Sequence, residues 1–167
     1  MYLSLIDRIV DLDPGKSITA VRCLRPEETY LQDHFPEMPV MPGVLMLESM
    51  YQAAAWLVRK SEEFSHSMVL LDDVRNVKYG SFVEPNQELT ITANILAQDE
   101  QFTTLKASGS VEGRGAVSGR LVLKRFNLAE REPQRESIDH YARHRFRQMF
   151  DQLIDPAASM AGGEVSG

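Results

Sequence analysis

At 167 residues with 43% hydrophobic side chains, the chain has the size of one compact domain with enough apolar surface for its own core, which argues against a multidomain enzyme with a separate cofactor domain. Eighteen Lys and Arg against 24 Asp and Glu give a net charge of −6 and an isoelectric point near 5.2, so the molecule as a whole attracts neither nucleic acid nor an anionic membrane. The lone Cys23 can form no internal disulfide, no basic-plus-apolar leader precedes the first strand-like run, and the longest charge-poor stretch, Gly43 to Val58, is short for a bilayer span and holds Glu48 and Gln52; a cytoplasmic protein without a membrane span is expected.

Tyr2 to Leu12 reads as a first strand, closed by Asp13-Pro14-Gly15-Lys16, whose Pro and Gly suit the central positions of a turn. Ile18 to Leu24 returns as a second strand. The pattern then breaks at Arg25-Pro26-Glu27-Glu28, and Pro36, Pro39 and Pro42, three residues apart, make a stiff extended connector. Pro42 suits a first helical turn, and the helix formers that follow predict a helix over about 43–60. Its apolar residues cover almost every face, so protein is expected to wrap it on nearly all sides.

Met68 to Tyr79 predicts a further strand, and Leu89, Ile91, Ala93 and Ile95 alternate with polar residues in a period of two. Thr103 to Val111 and Val117 to Leu123 alternate likewise about a Gly113-Arg114-Gly115 turn, which predicts a long hairpin in an antiparallel sheet. From Ala129 the composition becomes highly charged, which divides the chain into residues 1–128 and an extension, 129–167. In the extension Ser137 caps a predicted helix of about 137–154, with Ile138, Ala142, Phe146, Met149 and Leu153 on its buried face; Asp155-Pro156 ends it, and a tail expected to be disordered follows.

Among the sixteen residues Gly43 to Val58, Glu48 is the only charge. Burial there penalises the ionised form and would make Glu48 a proton-holding acid; an ion pair with a basic core group, or exposure at a gap, is the alternative. Gln52, one turn later, can hydrogen-bond Glu48 and fix its carboxyl. His34 lies on the loop before the helix and titrates near neutrality, so it can accept a proton from carbon, although a loop histidine taken alone is commonly an ordinary surface residue. The peptide N–H of Gly43 is an orphan donor at the helix N-terminus, suited to an oxyanion. Base, acid and oxyanion donor together fit removal of a proton beside a carbonyl with protonation of a leaving hydroxyl, and the set needs no metal.

The run His34-Phe35-Pro36, Pro39-Val40-Met41-Pro42-Gly43-Val44-Leu45, Glu48 and Gln52, with the glycine nine and the acid fourteen residues after the histidine, closely resembles the active-site signature of the bacterial β-hydroxyacyl-(acyl carrier protein) dehydratases. Val77-Lys78-Tyr79 and Val83-Glu84-Pro85 resemble that family's second sheet region, and the resemblance covers about residues 5 to 127. It implies an α+β hotdog fold, an antiparallel sheet wrapped around a long central helix, with an extra C-terminal helix here. It also implies a homodimer whose active sites take histidine from one chain and carboxylate from the other, dimers often assembling into hexamers. The implied reaction converts a (3R)-3-hydroxyacyl thioester, carried on the phosphopantetheine of acyl carrier protein, to the trans-2-enoyl thioester, without a cofactor. Glutamate at 48 resembles the branch lacking double-bond isomerase activity.

Some residues depart from the pattern. Asp33 and Glu37 stand where the family has glycines and would favour protonated His34; Gly80-Ser81 replaces arginine, and Asn86-Gln87 replaces a Gly-Asp turn. These departures motivate an alternative, a non-catalytic hotdog protein that binds acyl chains or partners; a hotdog thioesterase is another. Met38, Met41, Met46 and Met50 suit either an acyl tunnel or core filling. His140 and His144 have metal-ligand spacing without a third ligand, and Arg143, Arg145 and Arg147 suit either carrier docking or a solvated face. Cys23, within a strand, reads as inert packing.

Overall fold

The computed structural model describes residues 3–33 and 37–154; the side chains of Gln32 and Asp33, and the expected tail from 155 onward, lie outside what is described. Strands β1 (Arg8–Asp13) and β2 (Ser17–Cys23) are joined by a turn in which the Lys16 N–H donates to Asp13 O at 3.0 Å. Gly15 takes φ +79° there, the angle that this turn requires after proline. A four-residue helix α1 (Tyr30–Asp33) and the long α2 (Gly43–Ser61) follow, then β3 (Met68–Tyr79), β4 (Glu88–Gln98), β5 (Phe102–Val111), β6 (Arg114–Phe126) and α3 (Glu136–Leu153). The six strands form one sheet in the order β1-β2-β4-β5-β6-β3, antiparallel throughout, which with its enclosed helix is the α+β hotdog architecture.

The sheet curls around α2. Ile18 and Ala20 of β2, Leu89, Ile91 and Ala93 of β4, Leu105 and Ala107 of β5, and Leu121 and Leu123 of β6 are all buried, the inward half of the two-residue alternation. They meet Met50, Ala53, Ala54 and Leu57 of α2, whose small alanines let helix and sheet approach closely. The β5–β6 turn lies one residue earlier than its three-residue glycine pattern suggests. Glu112 and Gly113, both at positive φ, form a two-residue turn, and Arg114 and Gly115 already belong to β6, because two consecutive positive φ angles match the twist of a tight hairpin. Residues 3–7 precede β1 without joining it, although Leu5 and Ile6 are buried.

Helix α2 is enclosed only in part. From Gln52 to Arg59 every residue is buried, whereas Val44 is 67% exposed and Leu45, Leu47 and Glu48 are half-buried, so wrapping on nearly all sides holds for the C-terminal half alone. The face of α2 turned away from the sheet is covered by α3: Trp56 meets Phe146 and Phe150 with ring centroids 5.9 and 6.1 Å apart, and the Arg59 guanidinium lies 3.9 Å over Phe146. Such aromatic pairs contribute about 0.5–1.5 kcal/mol each beyond area burial.

Helix α3 starts at Glu136, directly after a 3₁₀ turn over Pro133–Arg135, with Arg135 at the cap position; Ser137 lies inside the helix and caps nothing. Of the expected apolar face Phe146, Met149 and Leu153 pack against the core, whereas Ile138 is 52% exposed and Asp139 and Phe150 are the buried residues. The cause is Asp139, 0% exposed, which accepts from the Ser67 hydroxyl, from the Leu128 N–H at 2.9 Å and from the Ala129 N–H at 2.8 Å. A carboxylate receiving three donors fixes the helix azimuth more firmly than one more isoleucine.

Burial alone would raise the Asp139 carboxyl, but these hydrogen bonds, with Arg143 nearby, hold it below the ordinary carboxylate range. A folded-state value below the unfolded one gives stability that is complete above the unfolded pKa, about 4, and is lost as pH falls through the folded value. We expect Asp139→Ala to cost about 1.5–3 kcal/mol in urea unfolding at pH 7. The gap between wild type and Asp139→Asn should narrow as pH falls below about 4; a constant gap would deny the carboxylate this role.

Candidate active site

The loop that carries His34 is pinned on both flanks. Upstream, Arg22, with a side chain 5% exposed, pairs with Glu28 and with Asp7 at 3.5 Å. Glu28 also accepts from the Tyr30 hydroxyl, and Asp7 accepts from the Cys23 N–H at 2.6 Å and from Arg25 at 2.8 Å. Burial and the adjacent Glu28 push the Tyr30 phenol up to about 12, so it stays a donor. Tyr30 opens α1, and α1 ends at Asp33, the residue before His34. Downstream, Met41 N–H donates to Val83 O at 2.9 Å, fixing the approach to α2.

At the start of α2 the Pro42 carbonyl accepts from Leu45 and Met46 at 3.0 and 3.2 Å, while the Gly43 N–H has no acceptor among the described residues. This is the orphan donor expected of a helix start. Glu48 follows on the same open end of the helix, half-buried, and its Oε1 accepts from Gln52 Nε2 at 3.3 Å. That contact is the weakest that Gln52 makes. Its amide oxygen accepts from Leu5 N–H at 2.7 Å and its nitrogen donates to Leu3 O at 2.8 Å, so Gln52 completes a strand-like ladder with the N-terminal segment and presents its remaining N–H to Glu48. Beside them Tyr51 donates to Val69 O at 2.5 Å; burial pushes its phenol up, Arg59 pulls it back and the Glu48 charge adds to the rise, which puts Tyr51 and Glu48 within electrostatic reach.

The sequence-predicted residues are thus brought together in part. Gly43 and Glu48 share the open N-terminal turns of α2, and Gln52, buried one turn later, reaches Glu48; His34 and the Asp33 side chain lie outside the described residues, and Glu37 is exposed. Met41, Met46 and Met50 are core residues, and Met38 is 54% exposed. Burial and the Glu88 carboxylate, 3.4 Å from Sγ, push the Cys23 thiol up, which suits packing rather than nucleophilic attack. Arg143 is engaged with Asn127 and Glu136, and Arg147 with the Glu63 carbonyl and the Phe64 ring, which reduces the basic patch of α3 to Arg145. Among the described residues no three His, Cys, Asp or Glu side chains converge as a metal site would need. An open groove of about 700 Å³ runs along α3, lined by Ile138, Tyr141, Phe146, Met149 and Leu153 with Ser4, and contains none of the predicted site residues.

Two features were missed from the sequence. Arg22 occupies the inward parity of β2 set by Ile18 and Ala20, a signal that it must be buried and paired. The link between Gln52 and residues 3–5 left no such signal, because it joins segments 47 and 49 residues apart.

Comparison with known proteins shows what the chain is similar to. Residues 1–120 match the family model described as a FabA-like domain. A protein of Ruminiclostridium cellulolyticum named 3-hydroxyacyl-[acyl-carrier-protein] dehydratase FabZ is 35% identical over 117 residues, 70% of this chain and 82% of that one. One of the same name from Levilactobacillus brevis is 37% identical over 116 residues, 70% of this chain and 78% of that one. Among solved structures, the dehydratase heterocomplex ApeI:P from Xenorhabdus doucetiae superimposes with a TM-score of 0.61 at 21% identity, covering 76% of this chain and 86% of that one, a likeness of fold.

Replacing the Gln52 amide by a side chain of similar size leaves the Leu5 N–H buried and unpaired. Gln52→Leu should therefore lose about 1–3 kcal/mol in urea unfolding. Equal midpoints for the two proteins would show that residues 3–5 are held by other means.

Proposed function

The chain belongs to the FabA-like domain family, and on that premise we propose that it removes water from (3R)-3-hydroxyacyl thioesters of acyl carrier protein, leaving the trans-2-enoyl thioester, with His34 as base and Glu48 as acid. The observation that carries the reading is a carboxyl on the open end of an otherwise apolar helix, held by an amide and five residues after an unengaged helix-start N–H. The names of the curated relatives agree with it.

The chemistry follows from those positions. The proton on C2 is weakly acidic because the thioester carbonyl can take up the charge left behind. An imidazole nitrogen of His34 accepts that proton while the Gly43 N–H, backed by the positive end of α2, stabilises the carbonyl oxygen as it becomes anionic. Glu48, protonated, gives its proton to the C3 hydroxyl, the C3–O bond breaks and water leaves. Transfer of the proton from His34 to Glu48 resets the pair. Acid and base roles are worth about 10²–10⁴ each in rate. The elimination changes no oxidation state of the protein and calls for no cofactor; the substrate arrives on the phosphopantetheine arm of the carrier protein.

Assembly enters the same reading. In the single chain the N-terminal turns of α2 stand beside exposed Met38, Val44 and Phe82, and β3, an edge of the sheet, leaves Leu70 42% exposed. Apolar residues around a reactive carboxyl need a cover, and a second copy supplies it: the protein acts as a homodimer with His34 and Glu48 of each site from different chains, the dimers able to associate further into a hexamer. Residues 1–128 carry the reaction, and a carrier-borne substrate places the enzyme in the cytoplasm.

The deciding measurement is the mass of carrier-bound 3-hydroxyacyl substrate before and after incubation. Loss of one water with the thioester intact is expected, and His34→Ala and Glu48→Gln should each lower kcat by about 10²–10⁴. Release of free thiol without an enoyl product would assign thioester hydrolysis instead; no product over a range of chain lengths, with His34→Ala silent, would leave a binding protein.

A further inference from the structure

Tyr79, the last residue of β3, takes no part in the reaction as written, yet its ring lies against the oxyanion donor. A Cβ built on Gly43 would stand 3.0 Å from Cε1, 3.1 Å from Cζ and 3.4 Å from Cδ1 of Tyr79. The two shortest approaches are to the hydroxyl end of the ring, so the phenol oxygen, one bond beyond Cζ, is carried to the first turn of α2. A side chain at 43 would have to push this ring aside, and the contact brings a second donor group to the residue whose N–H is unengaged.

The backbone that carries the ring is held in place. Tyr79 pairs with Val117 of β6, and the next two N–H groups, of Gly80 and Ser81, donate to Ala116 O and Gly115 O, each at 2.9 Å. A Cβ on Gly80 would fall 2.4 Å from Gly115 O, so only glycine permits this approach. The following residues return to the same place, since Val83 O receives the Met41 N–H just before α2. Tyr79 is thus held between β6 and the entrance of α2. It is nevertheless 52% exposed, and its hydroxyl has no hydrogen-bond partner among the described residues. A phenol whose backbone is held and whose oxygen is unengaged is available to a ligand.

We propose that the Tyr79 hydroxyl is a second hydrogen-bond donor to the substrate oxygen that the Gly43 N–H receives. The inference rests on the dehydratase reading and adds a catalytic residue to it. As the C2 proton leaves, negative charge grows on the thioester oxygen, and a donor already aimed there is worth more in the transition state than in the ground state. The phenol keeps its proton throughout and donates only a hydrogen bond, so the proton balance of the elimination is unchanged.

Tyr79→Phe keeps the ring against Gly43 and removes the hydroxyl alone. With carrier-bound 3-hydroxyacyl substrate, kcat for water loss should fall about 10²-fold with KM nearly unchanged, the mark of an interaction made in the transition state, while the urea midpoint stays that of wild type. Wild-type kcat in Tyr79→Phe would overturn the proposal, as would a raised KM at constant kcat. A second variant, Tyr79→Leu, separates ring from hydroxyl: it should lose at least as much kcat as Tyr79→Phe, and a loss seen only in Tyr79→Leu would assign the ring a packing role and overturn the hydroxyl's. Wild-type protein that forms no enoyl product would defeat the dehydratase reading itself, a result separable from a silent Tyr79→Phe in an active enzyme.

Discussion

The structure depends on burying one helix that is apolar around most of its circumference. From Gln52 to Arg59 α2 is buried on every face, so the sheet that encloses it does not suffice: Trp56 packs against Phe146 and Phe150 of α3, which keep it from water. Enclosure at one end sets the character of the other. The first turns of α2 emerge from the wrapped region, and they carry the unengaged Gly43 N–H and Glu48. A helix buried along its whole length could hold a core but could not present a carboxyl to a substrate.

Polar groups do the local positioning. Arg22 with Asp7, Glu28 and Tyr30 is a buried ion cluster of the kind that is costly to desolvate and strongly destabilising to break, and its geometric effect is to fix where α1 begins. Gln52 uses one amide for two backbone contacts with residues 3 and 5 and one contact with Glu48, so the orientation of the acid is tied to the seating of the N-terminal segment. Asp139 does the same for α3. In each case a single side chain satisfies several donors or acceptors at once, which rigidifies more than separate pairs would.

How much was legible follows from the range of each signal. The helix over about 43–60 and the strand over 68–79 could be read directly, because their apolar spacing and proline punctuation are local. The inward faces of β4 and β5 followed from alternation alone. Where the reading departed from the structure the causes were several: Asp139 took a buried place near the start of α3 and left Ile138 exposed while Phe146, Met149 and Leu153 kept to the core, and Ser137 proved unnecessary as a cap because a 3₁₀ turn feeds the helix. At the site, Gly43, Glu48 and Gln52 could be named from spacing, but their actual partners, Tyr79 and residues 3 to 5, come from segments brought close only by the folded sheet.

Helix α3 has an effect beyond covering Trp56. Near its start Asp139 grips Ser67, just before β3, and past its end Ile154 bridges to Ile9 of β1, so one rod spans the two outermost strands of the sheet. It works as a hoop around a barrel: the curled sheet cannot flatten without first shedding this band, and the resistance to unrolling resides in a segment that holds none of the reacting groups.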